Sequence, residues 1–220
     1  MKKGKFITFE GPEGSGKSTH IQLLAAYLET QGVAVTITRE PGGTLTGEAI
    51  RLLLQHNSAG EAPVARAEVL LFLASRAQHV ERLIQPALHA GRWVLCDRFD
   101  ASTLAYQGYG RGFDLDALRA LNQFATQDLT PDLTLLLDIQ PEQGRTRLHA
   151  RQQATATTLD RFECEASAFH ARVREGFLDL ARREPERYLR INTDAAREEV
   201  ALIIQNAIKK RFGEGKTHAF

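Results

Sequence analysis

The chain has 220 residues, enough for one α/β domain with a sizeable core. Its 28 lysines and arginines stand against 27 acidic residues, a net charge of +1 that argues against a general nucleic-acid surface. Two distant cysteines, Cys96 and Cys164, make no metal or disulfide framework.

In chain order, about Lys5–Glu10 reads as a short strand. Its apolar run is shorter than an export signal needs, no run reaches membrane-spanning length, and the cytoplasm is the expected compartment. The strand leads into Gly11-Pro12-Glu13-Gly14-Ser15-Gly16-Lys17-Ser18-Thr19, then a helical run to about Thr30. Strand, glycine-rich turn and helix at the spacing G-x-x-x-x-G-K-S form the phosphate-binding loop pattern. Backbone N–H groups and the helix N-terminus make an anion site there. Lys17 can reach the outer phosphates of a nucleotide, and the Ser18 hydroxyl can ligate Mg²⁺.

Val33–Thr38 alternates like a second strand and ends in Arg39-Glu40-Pro41-Gly42-Gly43. A short helix is predicted over about 46–54, a polar loop over 56–63, and one long helix over 64–89 that Pro86 bends. Trp93–Cys96 reads as a buried strand ending in Asp97-Arg98-Phe99. A short helix over 101–107 should precede a flexible turn at 108–112. Leu115, Leu118, Leu121 and Phe124 mark another helix, and Leu133–Asp138 a fourth strand. A helix from Pro141 toward Arg151 gives way to an aperiodic stretch, 152–158, expected as a mobile loop. A long helix over 162–183, a last strand over 188–192 and a final helix capped by Asp194 complete the pattern, with 213–220 a fraying tail. The alternation predicts an α/β fold: a five-stranded parallel sheet covered by helices on both faces, in one domain over 1–212.

Three features narrow the function. No N-K-x-D or D-x-x-G motif occurs, which excludes a GTPase switch. Asp97 at a strand end is placed to hold Mg²⁺ as a Walker-B acid does, and Arg98 beside it offers a fork to a phosphate. Arg145, Arg147, Arg151 and Arg161 flank the 152–158 loop, the pattern of a lid that closes arginines over transferring phosphates.

Together with Thr38–Gly43, Leu71–His79, Asp97–Phe99, Ala105–Gly108 and Leu159–Glu163, the loop makes the sequence resemble the bacterial thymidylate kinases, members of the nucleoside monophosphate kinases. The resemblance implies a P-loop kinase fold with a lid over about 147–163. It implies transfer of the γ-phosphoryl group of ATP to dTMP, giving dTDP for dTTP synthesis, with Mg²⁺, in a homodimer with no membrane or nucleic-acid partner. It also implies roles. Gly11–Thr19 would hold ATP. Arg39 and Arg98 would hold the dTMP phosphate, and Phe72 would stack on thymine. Arg76, Ser102 or Thr103, and Gln107 would read the base edge. Tyr106 would crowd the place of a ribose 2′-OH, and Glu13 would take the 3′-OH. Gly14 stands where one subclass has an arginine, so the lid would supply the charge, through Arg151. Arg147 would lie near adenine or its phosphates, and the 193–195 segment near adenine. Lys17, Arg98, Arg151 and Asp97 form the expected catalytic set, with Ser18 and Asp97 at the metal. From the residues alone, Phe72 also suits a core position, Glu13 a loop cap and Gln107 a structural role. A nucleoside kinase acting on a sugar hydroxyl, with Glu40 or Asp97 as base, and a non-catalytic nucleotide-binding regulator are the competing readings.

Overall fold

A computed structural model describes residues 3–56, 60–155 and 160–213. Five parallel strands, β1 (Phe6–Glu10), β2 (Val35–Arg39), β3 (Trp93–Asp97), β4 (Leu133–Asp138) and β5 (Tyr188–Asn192), lie in the order β2-β3-β1-β4-β5. The central β1 and β4 are buried at every position, whereas edge strands β2 and β5 are only partly so. Burial on both faces is why the inner strands are nearly continuous apolar runs. The polar exceptions are satisfied: Thr8 Oγ1 and Thr134 Oγ1 meet at 2.9 Å across β1 and β4.

Alternate residues of β1 feed different cores. Ile7 and Phe9 join Leu24 and Leu28 of α1 (Lys17–Thr30) and Ile204 of α9 (Arg197–Phe212). Phe6 joins Val94, Cys96 and Phe99 under a helical run. That run is α3 (Ala65–His79), a π-turn at Val80–Ile84 and α4 (Gln85–His89). Just upstream of Pro86 the helix changes hydrogen-bond register, Gln85 N–H donating to Val80 O.

Four expectations need correction. Gly108–Gly110 is no flexible turn. A short helix α5 (Asp100–Thr103) continues as a π-helix over Leu104–Gly110, which packs on α8 (Ser167–Arg183). The glycines serve close approach, since a Cβ on Gly110 would stand 2.6 Å from the Phe169 ring. The helix α7 (Pro141–Thr155) continues past Arg151 through part of the expected loop, and residues 156–158 lie outside the described residues. Residues 161–164 form turns, so α8 starts at Ser167 rather than 162; Asp160 Oδ1 accepts the Phe162 and Glu163 N–H groups and tightens that turn. Finally, Ala196 rather than Asp194 occupies the N-cap position of α9, with no side-chain cap hydrogen bond. Beyond Gly213 the expected tail lies outside the described residues. The remaining helices are α2 (Leu45–Gln55), capped by Thr44 Oγ1, and α6 (Leu115–Thr126), capped by Asp114.

Candidate active site

Strand order reverses about β1, so a crevice opens beyond the C-terminal ends of β1 and β3. A cavity of about 1260 Å³ occupies it. The loop after β1 forms its floor. Gly14 and Gly16 take φ of 73° and 87°, a region that costs a side chain strain, and Gly16 caps α1 from there. Lys17 is buried and donates to Gly11 O at 3.2 Å and Pro12 O at 2.9 Å. Burial, then the nearby Arg98, push its pKa down to about 8. Gly11, Pro12 and Ser15 do not line the cavity; they stand behind Lys17, and the Ser15 hydroxyl is 3.4 Å from its ammonium. Glu13, Gly14, Gly16, Lys17, Ser18 and Thr19 do line it.

Beside the loop, Ser18 Oγ donates to Asp97 Oδ2 at 2.8 Å. A hydroxyl and a carboxylate in contact at the end of a phosphate loop suit a hard cation that keeps several waters, which is how Mg²⁺ is held. Among the described residues no group of three His, Cys, Asp or Glu side chains converges.

Arg98 ties the loop to the next segment. Its backbone has φ 69°, an uncommon conformation for a side-chain-bearing residue, which turns the chain sharply off β3. Its guanidinium donates to Glu13 Oε1 (2.5 Å), Gly11 O (3.0 Å), Ser102 Oγ (3.2 Å) and the Tyr106 hydroxyl (3.0 Å), and lies 5.0 Å from the Tyr106 ring centroid. Tyr106 also donates to Glu13 Oε1 at 2.9 Å. Burial opposes the Glu13 charge, but Arg98 and Lys17 outweigh it and hold the carboxyl at about 2. Glu10, buried beneath, accepts from Phe99 N–H (2.8 Å) and Ser102 Oγ (2.6 Å). Burial raises its carboxyl to about 7, against the lowering effect of Ser102 and Arg98.

The next wall carries Arg39 and an arginine the sequence reading missed, Arg51. Arg39 pairs with Glu48 at 2.8 Å, and Arg51 donates to Pro41 O at 3.0 Å. Burial and the neighbouring Arg39 lower the Arg51 pKa. The available signal was a lone cation in the apolar run Ile50-Arg51-Leu52-Leu53-Leu54.

Deeper, Phe72 packs on Phe162, ring centroids 5.6 Å apart. Arg76 is 1% exposed: Nε donates to Glu40 Oε2 at 2.8 Å, Nη1 to Thr103 and Asn122, and Nη2 to Phe99 O, with Nη2 also 2.8 Å from Glu40 Oε2. His79 takes the other Glu40 oxygen at 3.1 Å and meets Thr38 at 2.6 Å. Arg76, Ser102, Thr103, Tyr106 and Gln107 all line the cavity.

The last wall is α7. Arg147 donates to Thr193 O at 2.8 Å, and Arg151 pairs with Glu163 at 2.5 Å; both arginines line the cavity, as do Thr193 and Ala195. The other two lid arginines do not: Arg145 donates to Ser167, and Arg161 to Leu54 O and Glu68. Backbone meets backbone where α7 crosses the loop, for a Cβ on Gly14 would stand 2.3 Å from Gly144 O. An arginine at position 14 has no room. His20, also missed, lines the cavity near Arg147 with a buried Nδ1 lacking a partner.

Residues 9–204 match a family model described as Thymidylate kinase. The chain is 50% identical over 216 residues to the thymidylate kinase of Desulfovibrio desulfuricans, covering 96% of this chain and 99% of that one. It is 54% identical over 180 residues to the thymidylate kinase of Carboxydothermus hydrogenoformans, covering 82% and 85%. The crystal structure of thymidylate kinase from Ehrlichia chaffeensis matches with a TM-score of 0.74 at 37% identity, over 94% of this chain and 99% of that one.

Proposed function

The chain belongs to the thymidylate kinase family, and from that premise we propose that it transfers the γ-phosphoryl group of ATP to the 5′-phosphate of dTMP, forming ADP and dTDP. The fold is that of a P-loop kinase, and we read residues 1–212 as one domain with its lid at about 147–163. The observation that carries the reading is one cavity lined by Lys17 and the phosphate loop and also by Arg39, Arg51 and Arg98, with Arg98 held against the loop through Gly11 O and Glu13. Further phosphate-directed cations beside a phosphate loop in one cavity suit phosphate-to-phosphate transfer.

The acceptor oxygen is already anionic, so no general base is needed; the difficulty is bringing two anions together. Lys17, Arg39, Arg51 and Arg98 supply positive charge around the transfer path. Arg151 is the lid cation in this reading. Its pairing with Glu163 holds it at the cavity edge, from which a rotamer change brings it over the phosphates. Ser18 and Asp97 would hold Mg²⁺, which when bound neutralises charge on the donor phosphates. Phe72 supports the base from one side, and Arg76 and Gln107 meet its edge. Glu13, bridged to Arg98 and Tyr106, faces the sugar and accepts from the 3′-OH. Thr193 and Ala195, with Arg147, form the adenine side.

A hydroxyl-directed nucleoside kinase fits less well. Glu40, one candidate base, is clamped by Arg76 and His79, and Asp97 is engaged by Ser18. We also assign a homodimer. Leu70 of α3, Leu52 of α2 and Phe124 of α6 are 59%, 57% and 84% exposed, and α3 packs against both neighbours. Apolar exposure on adjoining helices is what an interface would bury. Light scattering checks this: a mass near 24.5 kDa at micromolar concentration would overturn the dimer. Among the described residues no helix is long and apolar enough to cross a membrane, and we place the enzyme in the cytoplasm.

The deciding experiment measures ADP release with ATP and Mg²⁺ against dTMP, dUMP, the ribose analogue of dTMP, dCMP, AMP and thymidine. Turnover highest with dTMP supports the reading. Turnover with thymidine alone would move the acceptor to a hydroxyl and leave Arg39 and Arg98 without their roles.

A further inference from the structure

Glu68 of α3 is fully buried and receives four hydrogen bonds. Gln107 Nε2 (2.9 Å) and Arg111 Nε (2.6 Å) donate to its Oε1; Arg111 Nη2 (3.0 Å) and Arg161 Nη2 (2.7 Å) donate to its Oε2. Arg111 reaches on to Glu165 at 2.9 Å, so the cluster joins α3, the π-helix and the segment before α8. Nothing in the phosphate machinery uses this carboxylate, and it does not line the cavity.

Its chemistry fixes a neighbour. An ionised carboxylate only accepts, whereas a primary amide donates from one arm and accepts with the other. Gln107 therefore engages Glu68 through its NH₂ arm. Turned over, it would set carbonyl oxygen against carboxylate oxygen with no hydrogen between them, in a buried place where an unmade bond is costly. The two arginines cannot relieve this, because they donate to Glu68 as well. The remaining arm of Gln107, Oε1, has no hydrogen bond among the described residues and is not sealed from the cavity that Gln107 lines.

A fixed carbonyl oxygen at the base edge discriminates. The imide of thymine or uracil presents N3–H, a donor. Cytosine presents a bare N3, an acceptor, which would meet Oε1 lone pair to lone pair. We infer that Glu68 is a positioning residue for base selection, locking the Gln107 amide so that it accepts from a pyrimidine imide and rejects an aminopyrimidine. Glu68 touches no substrate; it acts only through Gln107, clamped in turn by Arg111 and Arg161. The inference rests on the dTMP reading above, since it requires the acceptor base to lie beside Gln107.

The test compares kcat/KM for dTMP and dCMP in wild type, Glu68→Gln and Glu68→Asp. Glu68→Gln keeps the volume but adds an NH₂ arm, so Gln107 can turn. The dTMP-to-dCMP ratio is expected to fall about tenfold or more, mainly through KM, and Glu68→Asp, still acceptor-only, should recover most of it. Equal losses on both substrates, with the ratio unchanged, would overturn the lock and leave Glu68 a structural residue. Should the variants fail to fold, the wild-type enzyme still decides. With ¹⁵N-labelled glutamine, assigned by Gln107→Leu, one Gln107 amide proton should exchange slowly with solvent, with and without dTMP. Rapidly exchanging, rotationally averaged amide protons would overturn the inference. Wild-type protein inactive on dTMP but showing the slow proton would instead sink the parent reading and leave the amide lock standing.

Discussion

Arg76 and Arg151 face the same cavity from opposite walls, and little else about them is alike. Arg76 is buried, its guanidinium held by Glu40, Thr103, Asn122 and Phe99. Arg151 is 57% exposed on α7 and paired with Glu163, whose own side chain is 9% exposed. On the proposed roles, Arg76 is fixed before any substrate arrives, as a template for a base edge would need to be, while Arg151 stays largely in water, from which it would turn toward the phosphates. Selection would then be built into the core of the fold and rate into its edge.

The largest effect that can break this contrast is on turnover. Arg151→Ala should lower kcat by about 10³-fold or more, the range of an arginine finger, and leave KM for dTMP within a few-fold. Steady-state kinetics decide it; a loss below about tenfold, with Arg147→Ala much worse, would move the catalytic charge to Arg147. The same substitution should lower the melting temperature less than loss of a fully buried pair does, because Arg151 is 57% exposed although Glu163 is not.

Arg76→Ala should behave in the opposite way. It leaves Glu40 buried without its arginine, a loss on the order of 3–5 kcal/mol, or roughly 10 °C in melting temperature for a chain of this size. Scanning calorimetry of the two variants side by side tests the division directly. Equal melting temperatures would show that the two walls are not built differently after all.

Glu10 lies under the junction of the floor and the Arg98 segment, and its carboxyl at about 7 sharpens the contrast through pH. The folded protein holds a proton there that the unfolded chain releases from about 4.5 upward. Stability therefore falls as pH rises through about 4.5–7, by on the order of 3 kcal/mol. Glu13, held at about 2, works the other way in a different window: its contribution is present above about 4.5 and is lost as pH falls toward 2. In Glu10→Gln the decline between about pH 5 and 7.5 should flatten, which melting curves across that range would reveal. A variant whose decline matched wild type would remove Glu10 as its cause. The smallest effect is expected at Phe72→Ala, about 1–3 kcal/mol of lost stacking, seen as a higher KM for dTMP with kcat nearly unchanged. A fall in kcat with KM constant would mean that Phe72 serves the core contact with Phe162 alone.

How much of this was legible in the sequence follows the same divide. The phosphate loop, the strands and the Asp97-Arg98 pair are local patterns whose residue types state their own requirements, and all were readable. The roles of Glu68, Arg111 and Arg161 were not, because their hydrogen bonds join residues up to 107 positions apart. Arg51 went unread for a related reason: only the packing of α2 shows which face of the helix meets the cavity. The region 108–110 was misread as flexible because glycines that permit a turn look the same as glycines that let two helices touch. Residues 152–155 were misread as loop because small polar residues carry no periodicity, whereas the helix there continues from α7.

Gly14 and Gly144 meet with no space for a side chain on either: a Cβ at 144 would stand 2.5 Å from Glu13 O, as one at 14 would stand against Gly144. This contact makes the placing of such a charge an exclusive choice: an arginine at position 14 and α7 in this position cannot coexist. On the proposed role of Arg151, a lineage or a designer moving the charge from lid to loop would have to displace α7 as well.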